Sequence, residues 1–519
     1  MLGVPKNNKP VFCAVTEQFH CVAGRHQSRF SQRRKIQAGF YGDNTMRNLT
    51  MLTDLYQFTM MYGYHKEGKD QERAVFDVFY RTAPCGGEFA VAAGLEQVID
   101  YINNLHFEPE DIDYLRSLHL FDEEFLEMLK NFRFTGDLYA MPEGTVVFPQ
   151  EPIVRVCAPI LEAQLIETAM LNILNHQTLI ATKASRVVKA ARGGAILEFG
   201  LRRAQGPDAG IYGARAAIVG GCEATSNVLM GEMYGLPTKG THAHSWVMSF
   251  PDELSAFRAY AKVFPDSCML LVDTYDTLKS GVPNAIKVFD ELRAQGYEPV
   301  GIRLDSGDLA YLSKEARKML DEAGYPKARI FASSDLDEYT IADLLSQGAR
   351  IDVWGVGTKM ITCEDNPALG GVYKLSAIEK DGVLEPRMKH SDNIQKVTNP
   401  GLKKVVRLYN KNGFALADLI ALDDETIDES KPLTIYAPLE PWKQTTITDF
   451  TAKELLVPVF LRGKQVYTSP ALMDIQAYAQ KELDTFWEEY KRLVRPHKYK
   501  VDLTDGLYEL KTRLLHKKQ

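Results

Sequence analysis

The segment KGTHAHSW, Lys239 to Trp246, sets two histidines two residues apart. On a strand, His242 and His244 would share a face; in a loop they need not. Such a pair could serve a metal, an acid–base step, a nucleophile or nothing. A metal centre needs a third ligand, and no HExxH or comparable spacing supplies one, so zinc is disfavoured. His242 reads as a packing or surface residue. His244, beside Ser245, is different: given phosphate-binding neighbours, a neutral imidazole is a competent phosphoryl acceptor.

Those neighbours are Arg202, Arg203, Asp273, Arg303, Asp305, Asp308 and Thr358. Arginine forks bind two oxygens of a carboxylate or phosphate at once. The GVGT run ending at Thr358 offers unhindered amides that can wrap a phosphate. Asp273 and Asp305 suit a magnesium ion held through water, or a sugar hydroxyl. Together they fit a phosphorylated sugar and a small anion. Each piece also has a plain reading: GVGT as a tight turn, and LDSGDL as a helix cap at Asp305 or Ser306. VDTYDTLKSG lacks the GxxxxGK[ST] spacing of a Walker loop.

The elements that must hold these groups follow a rhythm. CMLLVDTYDT, EPVGIRLDSGDL, ARIFASSDLDE and IDVWGVGT read as buried strands, each of the first three followed by a helix, and the polar residues stand where the strands finish. That is a parallel α/β sheet, open or closed, with its chemistry at the carboxyl ends. GAILEFGLRR and GTHAHSWVMSF read as two further strands, with YGARAAIVGGCEATSNVLMGEMYG as one helix between them. Upstream, NLTMLTDLYQFTMMYGYHKEG reads as a helix with Leu55, Phe58 and Met61 inward and Thr53 or Asp54 as cap. AVFDVFYRTAP reads as a strand and FAVAAGLEQVIDYINNL as a helix. EAQLIETAMLNILNHQTLIATKASRVVKAA reads as a long helical stretch. Beyond about residue 370 the rhythm fades into GGVYKLSAI, KVVRLYN and a helix in LMDIQAYAQKELDTFWEEYKRLV, a tail expected to pack back on the N-terminal region.

Composition frames this reading. The chain has 519 residues, 45% hydrophobic and 25% charged, the profile of an ordinary globular protein. A net charge of -7 gives no reason to expect a nucleic-acid partner, and no apolar run reaches a membrane span. Seven scattered cysteines without a CxxC argue against a disulfide framework and fit a reducing, cytoplasmic setting. Residues 1–45 carry seven Lys/Arg against two acids. They read as a disordered extension, or as sequence upstream of a natural start at Met46 or Met51, rather than as a targeting segment.

Nine segments in order, TDLYQFTM, FYRTAPCGGEFAVAAGL, EFGLRRAQGPDAG, GTHAHSW, VDTYDT, IRLDSGDL, SSDLDE, WGVGTKM and GGVYKL, together resemble the nicotinate phosphoribosyltransferases. The resemblance runs from about Met46 to the C-terminal region. It implies an irregular α/β barrel of the type II phosphoribosyltransferase kind beside an α/β domain formed by N- and C-terminal segments. The expected boundaries are 1–45 extension, 46–185 N-terminal domain, 186–375 barrel and 376–519 C-terminal region. It implies a reaction of nicotinate with phosphoribosyl pyrophosphate coupled to ATP, with Mg2+, in a homodimer whose subunits complete each other's sites. Carried over by position, His244 is the histidine phosphorylated by ATP. Tyr56, Phe199, Thr241 and Arg303 contact nicotinate. Arg202, Asp273, Asp305, Ser333, Gly357 and Thr358 contact phosphoribosyl pyrophosphate, with Asp273 and Asp305 on the magnesium side. Cys85 has no role, and Gly86 and Gly87 suggest that its loop moves.

Three rivals stand beside this. A sister enzyme would use nicotinamide or quinolinate. An α/β-barrel lyase would want a Schiff-base lysine, for which Lys359 is the one well-placed candidate. A non-catalytic homologue would only bind.

Overall fold

The computed structural model of the protein describes residues 48–393, 396–438 and 442–516; the basic extension expected over residues 1–45 lies outside them. The part that carries the strand-end residues is a six-stranded, all-parallel sheet. Its strands are β1 (Ala195–Glu198), β2 (Ala224–Thr225), β3 (Met269–Leu271), β4 (Gly301–Leu304), β5 (Arg329–Ser333) and β6 (Val353–Val356). Their order across the sheet is β2-β1-β6-β5-β4-β3. Helices Val282–Ala294, Leu309–Glu322 and Glu338–Ser346 make the crossovers from β3 to β6. β3 and β6 are buried at every position, on both faces, which is why they read as apolar runs rather than alternating ones.

KGTHAHSW is not a strand, contrary to the expectation from sequence. It runs as a loop into a short helix, His244–Met248, yet it stands where a strand would close the ring. Thr238 bridges Thr225 of β2 in parallel, and the Lys239 amide donates to the Thr225 carbonyl at 3.0 Å. At the other side, the outward-facing amide of Leu271 on β3 donates to His242 Nε2 at 3.3 Å. One imidazole thus satisfies a buried edge N–H that a strand would otherwise pair.

The stretch read as one helix between β1 and this loop is two, Pro207–Val219 and Val228–Tyr234, with β2 between them. The break falls at Gly220 and Gly221, where φ reaches +108° at the second. A side chain at Gly220 would sit 2.4 Å from the Ala181 carbonyl, so this helix end lies flush on helix Glu167–Ala190.

The second sheet has seven strands in the order Val383–Pro386, Gly371–Lys380, Arg73–Tyr80, Val154–Pro159, Asp137–Ala140, Val457–Leu461 and Lys464–Gln465, each pair antiparallel. Strands from both ends of the chain therefore share one sheet. A third, six-stranded sheet is built from residues 403–454 and Val501–Leu503. The reading from sequence recognises two strands beyond residue 370; the structure has ten there among the described residues.

Helix Leu55–Lys66 exists, but its inward face is Gln57, Phe58 and Met61, and Leu55 is half exposed. Gln57 can be buried because its amide donates to Glu167 Oε2 at 3.0 Å. Asp54 stands at the cap position without a side-chain cap bond. The helix expected over FAVAAGLEQVIDYINNL begins only at Leu95; Ala90–Val91 is a short strand paired with Val146–Val147.

Candidate active site

Because each crossover returns the chain in the same direction, the residues just past β1, β3, β4, β5 and β6 converge at one end of the parallel sheet. Arg303, third residue of β4, is the hub. Its Nε donates to Ser333 Oγ at 2.9 Å and its Nη1 to Thr241 Oγ1 at 3.1 Å and the His242 carbonyl at 3.3 Å. Nη2 donates to Asp305 Oδ1 at 3.1 Å. Ser333 Oγ also donates to Asp305 Oδ1. Four of the guanidinium's five N–H groups are thus engaged, mostly by neutral oxygens.

Asp273, two residues past β3, holds the histidine. Its Oδ1 is 3.2 Å from His244 Nε2, and Oδ2 accepts from the Asp305 amide at 2.9 Å and Ser306 Oγ at 2.6 Å. The Asp273 side chain is 2% exposed and that of His244 is 38% exposed, so a buried carboxylate anchors an accessible ring. His244 Nδ1 takes part in no hydrogen bond among the described residues. LDSGDL therefore does more than cap a helix. The cap is Asp308, which accepts from the Tyr311 amide at 2.9 Å, while Asp305 and Ser306 point their hydrogen bonds at Asp273 and Arg303. Ser306 is a positioning residue that sequence offers only as a possible cap.

The two histidines of GTHAHS part ways. The His242 ring is buried against Tyr260, with centroids 4.6 Å apart, and burial pushes its pKa down to about 4. It stays neutral with Nε2 as acceptor, as its bond to the Leu271 amide requires. Neither histidine belongs to a group of three ligating side chains among the described residues.

Phe199 follows β1, and its amide donates to the Val356 carbonyl at 2.8 Å. Its ring lies over Gly355: a Cβ there would be 2.6 Å from Phe199 Cδ2 and 3.4 Å from Ser333 Cβ. Gly355 thus makes room for an aromatic wall beside the Arg303 cluster, and Gly357 passes the Phe199 backbone closely. Glu198, wholly buried, braces this turn. Its carboxylate accepts from Thr225 Oγ1 at 2.6 Å and from the Gly200 amide, and burial holds its pKa above the usual range.

Gly357 and Thr358 begin the short helix Thr358–Ile361 at the end of β6. Arg202 and Arg203 are exposed on the turn Leu201–Arg203. Tyr56 is not gathered in. It is 47% exposed and lies by Asp54 and Glu167, with no ring contact to Phe199 and no hydrogen bond to Arg303 among the described residues. Lys359 Nζ donates to Asp337 Oδ2 at 3.0 Å, and that bond holds its pKa up. A Schiff-base lysine needs the opposite shift, which removes the feature that favoured a lyase.

Three family models match successive parts of the chain. The nicotinate phosphoribosyltransferase (NAPRTase) N-terminal domain matches residues 51–175, the NAPRTase family residues 195–413 and the C-terminal domain residues 402–511. The nicotinate phosphoribosyltransferase of Bacillus subtilis (strain 168) is 50% identical over 482 residues, covering 93% of this chain and 97% of that protein. The crystal structure of human nicotinic acid phosphoribosyltransferase superposes with a TM-score of 0.79 at 32% identity, over 89% of this chain and 100% of that one. The nicotinate-nucleotide pyrophosphorylase of Pyrococcus furiosus shares the fold, with a TM-score of 0.65 at 20% identity over 89% of this chain and 99% of that one. With 50% identity to one such enzyme over 482 residues and family models spanning most of its length, the chain belongs to the nicotinate phosphoribosyltransferase family.

Proposed function

We propose that the protein joins nicotinate to phosphoribosyl pyrophosphate, giving nicotinate mononucleotide and pyrophosphate, the entry of nicotinic acid into NAD synthesis. We infer that the reaction is coupled to ATP through a phosphohistidine at His244. The observation that carries this reading is the line Ser306–Asp273–His244 ending on an accessible ring beside the Arg303 cluster.

In this reading His244 Nδ1 attacks the γ-phosphorus of ATP and ADP leaves. The ring becomes a phosphorylated imidazolium, whose charge the buried Asp273 carboxylate balances. Hydrolysis of that phosphohistidine later releases phosphate and draws the transfer towards product. Nicotinate lies on Phe199 with its carboxylate at Arg303. The arginine meets it by exchanging neutral partners, the Thr241 and Ser333 hydroxyls, for a charged one. Ser333, expected from sequence to touch phosphoribosyl pyrophosphate, is buried and bonded to Arg303 and Asp305, which suits it to aiming the arginine. Gly357 and Thr358 receive the 5'-phosphate and Arg202 the pyrophosphate. The pyridine nitrogen is already a nucleophile, so the site needs positioning and charge stabilisation more than a base.

Magnesium fits this site unevenly. Both oxygens of Asp273 accept hydrogen bonds, whereas Asp305 Oδ2 accepts none among the described residues. Asp305 is thus the carboxylate that would hold the ion's water shell, with Asp273 behind it. When bound, magnesium would neutralise charge growing on the departing pyrophosphate.

We also infer a homodimer. Leu55, Tyr56 and Met60 on helix Leu55–Lys66, with Leu52 just before it, are all at least 38% exposed, an apolar stripe that a second copy would cover while receiving Tyr56. No helix among the described residues is long and apolar enough to cross a membrane, and the phosphorylated substrates point to the cytoplasm.

The test is a product assay with nicotinate, phosphoribosyl pyrophosphate and Mg2+, with and without ATP, following nicotinate mononucleotide and ADP together. Product that rises with ATP, with ADP released alongside, is expected. Product from nicotinamide or quinolinate but not from nicotinate would overturn the acceptor. A His244→Ala protein that keeps full ATP-coupled synthesis would sink the phosphohistidine.

A further inference from the structure

Cys85 and Cys363 are 278 residues apart in sequence, and their Sγ atoms are 3.3 Å apart. Both are buried, at 3% and 0% exposure. Both also hold a positive φ, +56° and +43°, a conformation that costs a residue with a Cβ and persists only where its surroundings fix it. Those surroundings are visible. The Cys85 amide donates to Asn366 Oδ1 at 3.3 Å, and the Gly87 amide closes a turn on the Pro84 carbonyl at 3.0 Å. The Cys363 amide donates to the Met360 carbonyl at 3.2 Å, so this cysteine ends the short helix that follows β6. The remaining described cysteines, Cys157, Cys222 and Cys268, have no thiol neighbour of this kind among the described residues.

Asp365 brings a carboxylate oxygen within 4.8 Å of both sulfurs, the outline of a three-ligand metal site. That corner already holds a cation, because Lys183 Nζ donates to Asp365 Oδ1 at 2.9 Å and pairs with Glu338 at 2.7 Å. The charge balance there leaves the two sulfurs with each other.

We propose that Cys85 and Cys363 are a dithiol that a peroxide converts to an intramolecular disulfide, fastening the loop of residues 81–89 to the turn behind β6. The Cys85 thiol takes an oxygen from hydrogen peroxide, giving the sulfenic acid and one water. The Cys363 sulfur then attacks the Cys85 sulfur. The S–O bond breaks, and the hydroxyl leaves with the Cys363 proton as a second water. Two thiols lose two electrons, and one peroxide gains them. The Cys363 thiol is held above its usual range, by its contact with Cys85 first and by burial second. A buried thiol of this kind resists bulky disulfides, so the oxidant is a small neutral one.

The experiment uses the full-length protein, reduced and desalted, then treated with hydrogen peroxide and digested without reductant. The expected result is one cross-linked peptide pair carrying residues 85 and 363. Two of the seven thiols should vanish from a titration in denaturant, and dithiothreitol should restore both. Cys85→Ser and Cys363→Ser should each abolish the cross-link while keeping the unoxidised activity. Recovery of all seven thiols after peroxide would overturn the proposal, as would a cross-link between other cysteines or sulfinic acid at either position in place of the bond. So would one equivalent of zinc that survives dialysis and shields both thiols. The covalent readout on the native protein needs neither a variant that folds nor the proposed reaction.

Discussion

Arg303 and Arg407 are both held by at least four hydrogen bonds, yet they are built for opposite ends. Arg407, on the strand Lys403–Asn410, is 0% exposed, with Nε and Nη2 on the two oxygens of Asp418 at 2.8 and 2.7 Å. Its Nη1 meets Glu482 at 2.8 Å and Nη2 also meets the Val146 carbonyl at 2.6 Å. Two buried carboxylates fix it, and it ties the third sheet to helix Leu472–Asp484. Arg303 is part-exposed, and its acceptors are two hydroxyls, one carbonyl and one carboxylate that is itself shared with Ser333. Neutral acceptors hold an arginine in place and release it to an arriving anion at small cost. Charged, buried ones do not release it. The number of bonds does not separate Arg407 from Arg303; the charge and burial of their partners do, and only Arg303 is placed to meet an anion as the proposed reaction requires.

Four changes bear on that contrast, from the largest effect down. Arg407→Met strands the buried Asp418 without its cation and leaves Glu482 only Lys453 at 3.3 Å, and about 3–5 kcal/mol of stability should be lost in thermal or denaturant unfolding. A variant as stable as the parent would break the distinction. Arg303→Ala should leave the melting temperature nearly unchanged but lower kcat/KM for nicotinate by about 10²–10³-fold, with the selectivity over nicotinamide falling too. Ser333→Ala frees Arg303 Nε and leaves Asp305 with one donor fewer; steady-state kinetics should register about 1 kcal/mol, mostly in KM for nicotinate. The smallest effect belongs to Glu151, beside the Arg407 cluster. Burial first, and the Asp418 carboxylate second, hold its carboxyl well above the ordinary 4.5. The folded chain then keeps a proton that the unfolded chain sheds. The stability this group contributes is whole below about pH 4.5 and declines as pH rises towards its folded value. Glu151→Gln cannot ionise, so its melting temperature relative to the parent should climb as pH rises above about 4.5. A flat difference would mean that the carboxyl is charged in the fold.

Much of the site was legible because of one regularity. In a buried parallel strand the first polar residues after the apolar run stand at the carboxyl end, so Asp273, Arg303, Asp305 and Ser333 could be picked out by position alone. What that rule lacks is a partner list. It pointed Ser333 at a substrate but could not show that its hydroxyl also bonds Arg303 and Asp305. It ranked Ser306 as a cap, although Asp308 does the capping. KGTHAHSW alternates as a strand does, but its pairing with β2 ends after Thr238 and Lys239, and a side chain replaces the ladder at β3. On helix Leu55–Lys66 the inward Phe58 and Met61 were legible, but Leu55 took the place of Gln57, because a buried glutamine satisfied by Glu167 looks polar in sequence. Of the third sheet, the strand Lys403–Asn410 was read as KVVRLYN, but Ala415–Leu422 escaped because it is largely covered on both faces and its apolar run is broken by the buried Asp418.

The seam between β2 and β3 has one more consequence. Around most of the sheet, neighbouring strands share several amide–carbonyl bonds and part only together. At the seam, among the described residues, the backbone of β3 is held only by the His242 imidazole, and two residues further along the same chain His244 meets Asp273 just past β3. Amide hydrogen exchange should therefore be faster at Leu271 than at Leu270, whose amide lies on the laddered side. Where the ring of strands breathes, the segment carrying His244 breathes with it, so in the proposed reaction loading that histidine and loosening the barrel wall become one mechanical event.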